Sequence, residues 1–294
     1  MAITAGAVKE LREKTGAGMM DCKKALTETN GDLEAAVDFL RTKGLATAAK
    51  KQGRVAAEGV VVTLSEGNTA VVVEVNCETD FVSKGDDFQG FGKKVANYAL
   101  TNKPSDIVAL QTAMNADATE LTLKCEEKVD IRRMVIDQTE GVFGTYNHGG
   151  KIGVVVNLNT TNTGAEVEEL AKDIAMHVAA ADPKFLSGAD IDEDFKKREA
   201  EVYTAQLKEE GKPEAMIGKI VEGKLAKLAK DVCLLEQVFV KNPDLTITKL
   251  IAEVAKNTGA TISLKSFSKL NLGEGVEKKE DNLADEVAKL TAKQ

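Results

Sequence analysis

Val71 to Val82 reads VVVEVNCETDFV, and this stretch constrains the fold more than any other. A run of β-branched residues forms a buried strand, and the polar tip Glu78-Thr79-Asp80 ends it, so a loop is expected next. Phe81 then stands just past the strand end, with an acid before it and Ser83-Lys84-Gly85 beyond, where a polar residue would be usual. Two readings follow. The ring folds back and caps the sheet's core, the commoner fate of Phe, or it is held outward as a probe.

Upstream, the pattern is helical. Thr4 is placed to cap a helix carrying Val8 and Leu11, which Thr15-Gly16-Ala17-Gly18 should stop. A second helix is expected from about Met20 through Leu26, ended by Asn30-Gly31. A third, capped by Asp32 and carrying Leu33, Ala36, Val37 and Leu40, should close at Gly44. So small a bundle buries little surface, and Met19 and Met20, adjacent in sequence, do not both point inward with ease. They serve either as soft gap-fillers or as a docking surface at a turn. Ala46 to Arg54 reads as a basic linker, helical at first.

A second region starts after it. Val60 to Leu64 and Ala70 to Val75 form an antiparallel hairpin across Glu66-Gly67-Asn68. Helices are expected at about Phe88 to Leu100, Ile107 to Met114 and Ala118 to Glu127, then a strand at Ile131 to Ile136. The sequence next starts over at an offset of roughly eighty residues. Glu140-Gly141-Val142-Phe143 echoes Glu58-Gly59-Val60-Val61, the turn His148-Gly149-Gly150 echoes Glu66-Gly67-Asn68, and Ile152 to Val156 echoes Val71 to Val75. Val167 to Val178 corresponds to the first helix of the earlier unit, and Thr261 to Phe267 to its last strand. An insert interrupts this second copy. From Pro183 to about Lys230 the composition turns strongly charged, giving two helices separated at Gly211-Lys212-Pro213, an αα-hairpin with a thin apolar seam of Phe195, Val202, Leu207, Ile217, Ile220 and Leu225. It is either a solvated arm or a self-association element. A last helix is expected near Asn282 to Leu290.

Little here points to covalent chemistry. The two histidines, His148 and His177, have no Ser, Cys or Asp beside them in a nucleophile–base pattern. No phosphate-binding G-x-x-x-x-G-K-[ST] loop occurs, and Gly16-x-Gly18 follows a helix where a dinucleotide site needs a strand. Asp190-x-Asp192-x-Asp194 lacks the glycine and closing glutamate of a calcium loop and reads as a helix start. His177, inside MHVAA, reads as a hydrogen-bonded packing residue, while His148 in a glycine-flanked turn should be exposed. The four scattered cysteines form neither a zinc pattern nor a disulfide framework. A net charge of −8 argues against general binding to nucleic acid or anionic membrane, and no stretch reads as a membrane span. No cofactor and no metal are expected. Several contact points remain, which suits a factor gripping one partner in several places.

TGAGMMDCKKAL (Thr15 to Leu26), the NGD turn at Asn30, EVNCETDFV (Glu74 to Val82), NHGGKIGVVV (Asn147 to Val156) and IAMHVAA (Ile174 to Ala180) stand in this order across nearly the whole chain. Together they closely resemble the bacterial translation elongation factor Ts family. The resemblance implies an α+β fold: a ubiquitin-associated-like three-helix domain with its linker (1–54), a duplicated core with small antiparallel sheets (55–139, then 140–182 with 231–270), a coiled-coil dimerisation hairpin (183–230) and a C-terminal helical module (271–294). It also implies a guanine-nucleotide exchange factor for elongation factor Tu; the scattered cysteines fit a reducing cytoplasm, and the charge balance argues against direct nucleic-acid contact. The family's intruding motif falls on Thr79, Asp80, Phe81 and Val82, which would enter the partner's GTPase domain near its magnesium. Met19 and Met20 would make an N-terminal contact and His148 a contact to another domain of the partner. Glu78 departs from the pattern, where Gln is also expected, and sets a negative charge beside the probe. The alternative is an adaptor binding a ubiquitin-like or ribosomal partner through the three-helix domain.

Overall fold

The computed structural model of the chain describes residues 3–51 and 53–277. Three helices come first: α1 (Ala5–Thr15), α2 (Met19–Glu28) and α3 (Leu33–Lys51). Thr4 Oγ1 accepts from Ala7 N at 3.2 Å, and Asp32 Oδ1 accepts from Ala35 N at 2.9 Å, so the predicted caps form. Leu11, Cys22, Ala25, Leu26 and Ala36 are wholly buried between the helices.

Helix α3 does not stop at Gly44. It runs to Lys51, and the expected linker is helical up to that residue. Gly44 is buried where α3 crosses α6 (Ile107–Cys125), and a Cβ there would lie 2.5 Å from Leu123 Cδ1 and 3.2 Å from Thr119 Cγ2. The glycine is a helix-crossing residue; close approach offsets its cost of about 1 kcal/mol in a helix interior. Helix α6 also corrects an expectation, since the two segments predicted at 107–114 and 118–127 are one helix. Asn115-Ala116-Asp117 holds neither Gly nor Pro, so nothing breaks it.

The core contains two similar sheets. β1 (Glu58–Glu66), β2 (Thr69–Cys77) and β3 (Asp130–Gln138) form one antiparallel sheet in that order. β4 (Val142–His148), β5 (Ile152–Thr160) and β8 (Ile262–Asn271) form the other. Helices α5 (Asp86–Asn102) and α7 (Ala165–Ala181) pack on the first and second sheet respectively. The remaining faces meet each other through Val61, Ala70, Val72, Val155 and Leu270. The layers therefore run helix, sheet, sheet, helix, which explains why every residue of β2 is buried: Val71, Val73 and Val75 serve the helical side, Ala70 and Val72 the second sheet. The duplication extends to a register shift in each central strand, at Glu74/Val75 and at Asn157/Leu158. Each shift follows a fully buried polar residue, Glu74 or Asn157. Glu74 accepts from Arg132, Arg133 and Asn76, and from Gly273 N at 2.8 Å, which ties the chain beyond β8 back to the first sheet. These bonds hold its carboxyl below the usual range although burial alone pushes it up.

The insert is an αα-hairpin as expected, with α8 (Glu193–Glu209) capped by Asp192 and α9 (Glu214–Val232). Its seam consists of Leu207, Ile217 and Val221 with Ala200, Tyr203, Ile220 and Leu225. Two expected seam residues lie elsewhere. Val202 is exposed, and Phe195 sits edge-on to Phe185 with ring centroids 5.2 Å apart. Three elements absent from the sequence-based expectations follow the arm: β6 (Val238–Phe239), β7 (Asn242–Thr246) and α10 (Ile247–Thr258). The helix expected near Asn282 to Leu290 lies outside the described residues.

Candidate partner-contact site

Strand β2 ends at Cys77, and three residues later the chain makes a single helical turn, α4 (Asp80–Ser83), where a loop was expected. The turn forms because its capping groups are all present. Thr79, extended at φ −124°, accepts from Val82 N through its hydroxyl at 3.4 Å. Asp80 stands in the first turn, where its charge favours the helix dipole. The Asp80 carboxylate also meets Lys84 Nζ at 2.6 Å; that hydrogen bond holds its pKa below the ordinary value and raises that of the lysine.

One side of the turn is anchored. Val82 packs on the first sheet's core. Ser83 is buried and donates to Asp80 O at 3.0 Å, while Gln89 Nε2 donates to Ser83 O at 2.6 Å. With Val82 and Ser83 inward, Phe81 faces away and is 85% exposed. The core-capping reading of this ring is thereby excluded. Beneath the turn, buried Cys77 has its pKa pushed up to about 12, first by desolvation, and donates to Thr79 O at 3.2 Å. It is a protonated packing thiol.

The root of the turn is gripped by groups distant in sequence. Glu127 Oε2 accepts from Glu78 N at 3.0 Å and from Thr79 N at 2.9 Å, and its Oε1 accepts from the Thr79 hydroxyl at 2.6 Å. Glu78 in turn accepts from Lys128 N at 2.7 Å and pairs with Arg54 Nη1 at 3.2 Å. The charge feared beside the probe is thus directed into the protein. Neither Glu127 nor Arg54 is a candidate from sequence: contacts spanning 49 and 24 residues leave no local pattern.

The other predicted contacts stand on separate elements. Met19 and Met20 begin α2 and are 60% and 75% exposed, so neither fills the small core, which Cys22 and Leu26 occupy instead. His148 ends β4, exposed, with its Nδ1 3.0 Å from Tyr146 Oη and the two rings stacked at 6.1 Å. The adjoining turn is stitched to β1: Asn147 Nδ2 donates to Val61 O at 2.8 Å and Val61 N to Gly150 O at 2.7 Å. His177 is a packing residue, as expected, bonded to Gln237 Oε1 at 3.0 Å, its pKa lowered by burial. One aromatic, one methionine pair and one histidine thus stand exposed on three separate elements. Among the described residues no group of three His, Cys, Asp or Glu could hold a metal, and no helix is long and apolar enough to cross a membrane.

Residues 78–274 match the family model described as elongation factor TS. The chain is 51% identical over 300 residues to elongation factor Ts of Clostridium novyi (strain NT), covering 97% of each chain. It is 50% identical to that of Clostridioides difficile (strain 630), with 98% of each covered. To that of Syntrophotalea carbinolica it is 46% identical, over 99% of this chain and all of the relative.

Proposed function

The chain belongs to the elongation factor Ts family, and from that premise we propose that it is a guanine-nucleotide exchange factor acting on elongation factor Tu in the cytoplasm during translation. The observation that carries this reading is Phe81, a large apolar side chain 85% exposed on a turn whose other residues are fixed. Thr79, Asp80, Phe81 and Val82 enter the partner near its magnesium and phosphate site. Met19 and Met20 hold the partner at one point and His148 at another.

Burying the Phe81 ring in the partner yields on the order of 1.5 to 3 kcal/mol, one or two powers of ten in nucleotide affinity if all of it goes into displacement. A magnesium ion needs near-octahedral ligation, so a small shift of the elements around it undoes its geometry, and Asp80 assists by disturbing the metal's water ligands. The remaining contacts supply the rest of the displacement. Coupling is reciprocal: rebinding nucleotide expels the factor to the degree that the factor expels nucleotide. No covalent chemistry is involved, and the factor is not consumed. The charged arm, α8 with α9, pairs two copies of the chain.

Fluorescent GDP release from elongation factor Tu tests the wedge. Phe81→Ala is expected to leave the melting temperature unchanged, since the ring supports nothing in its own chain, and to slow stimulated release about tenfold or more. Wild-type rates in that variant would refute the wedge. If the wild-type chain bound its partner through the three-helix domain without any acceleration of release, the adaptor reading would replace it.

A further inference from the structure

The root of the Phe81 turn is held by two glutamates that exchange backbone hydrogen bonds. Glu127 accepts the N–H groups of Glu78 and Thr79, while Glu78 accepts the N–H of Lys128, so each carboxylate grips the backbone beside the other. The Thr79 hydroxyl adds a directional element. It has a single proton, and that proton is committed to Glu127 Oε1 at 2.6 Å. Its lone pairs are then left to accept from Val82 N, the bond that caps the turn. An acceptor at residue 127 thus fixes the orientation of the hydroxyl that caps the turn. Charge-assisted bonds of this kind are about twice as strong as neutral ones.

The geometry points to Glu127 as a positioning residue for the Phe81 wedge, a role that rests on the exchange reading above. Glu127 is distant from Phe81 in sequence and holds it only through Thr79 and the backbone of the strand end. Arg54 completes the arrangement from the segment that joins the three-helix bundle to β1: it pairs with Glu78, and its carbonyl accepts from Lys128 Nζ at 3.4 Å. Without Glu127 the turn loses three bonds and the hydroxyl's fixed orientation, and Phe81 samples directions that do not fit the partner.

The test uses the full-length chain and two readouts. In the free protein, hydrogen exchange at the Thr79 and Val82 amides is expected to accelerate by about tenfold or more in Glu127→Ala, the loss of a bond to a charged acceptor. Glu127→Gln keeps one carbonyl oxygen for the two backbone donors but sets an NH2 where Oε1 accepts the Thr79 hydroxyl, so it should fall between wild type and Glu127→Ala. In GDP release from elongation factor Tu, Glu127→Ala should be slowed by about five- to tenfold. Combining it with Phe81→Ala should add nothing to the Phe81→Ala loss, because both changes remove one wedge. Effects that multiply in the double variant, or amide protection unchanged in Glu127→Ala, would overturn the role. A loosened turn with wild-type release would overturn the positioning role alone, whereas a fully active Phe81→Ala would overturn the wedge and the role with it.

Discussion

Glu78 shows how a side chain's meaning depends on its partners more than on its sequence neighbours. In the string ETDFV it adds a negative charge next to an exposed aromatic, and a cost to docking would be a fair inference. Folding turns the carboxylate the other way, onto Lys128 N at 2.7 Å and Arg54. Replacing it with Gln should therefore change little, since an amide oxygen still accepts from Lys128 N and the half-exposed pair with Arg54 is worth about 0–1 kcal/mol. Glu78→Gln is expected to melt within about 2–4 °C of wild type and to exchange nucleotide at the same rate, both checked against Glu127→Ala. A large loss in Glu78→Gln alone would show that charge at residue 78 acts on the partner directly. Phe81 itself was half legible. Its position after a strand marked it as unusual, but only the inward packing of Val82 and Ser83 decides which way the ring faces.

At the level of elements, what could be read was whatever has a local period. β1, β2, β4, β5, α5 and α7 fall where alternation and 3.6-residue spacing put them, and the duplication follows from matching turns. Gly44 reads as a stop because its partner, Leu123, is remote in sequence, a nonlocal cause. Helix α10 is different: Ile247, Leu250, Ile251 and Val254 carry a local helical spacing that the expectations leave unused, and they pack on the second core. The sheet-on-sheet contact is the clearest case of a nonlocal requirement. Gly153 faces the first sheet, and a Cβ there would lie 2.5 Å from Val61 Cγ1 and 2.9 Å from both Thr63 Cγ2 and Val72 Cγ1. Gly153→Val should force the layers apart at a cost of about 1–3 kcal/mol or more, lowering the melting temperature by several degrees. Gly218→Ala on α9, where a Cβ meets nothing within 4 Å, is the matched control and should be neutral or slightly stabilising. Equal melting temperatures for the two variants would mean that the sheets do not pack as described.

At the scale of the whole molecule, the arm is an element with apolar side chains left over after its own packing. At about 1.5 Å rise per residue, helices of 17 and 19 residues extend roughly 25–28 Å, long enough to reach a second copy. The sequence suggested an apolar seam available for such pairing, but Leu207, Ile217 and Val221 are consumed between α8 and α9 themselves, and Lys224 lies over the Tyr203 ring at 5.2 Å. Two large apolar side chains are left in solvent, Val202 at 48% and Met216 at 56% exposure. A standard stable interface buries about 800 Å² per partner, more than two side chains supply, so a dimer through the arm would also have to use the aliphatic stems of its lysines and glutamates. Light scattering at micromolar concentration should give twice the monomer mass for the wild type and the monomer mass for Val202→Lys with Met216→Lys. Nucleotide exchange by that double variant should stay at the wild-type rate, because Thr79 to Val82 stand on the first sheet's unit and not on the arm. A wild-type monomer at that concentration would remove the dimer from the proposed function, and loss of exchange in the monomeric variant would show that the paired state is what the partner recognises.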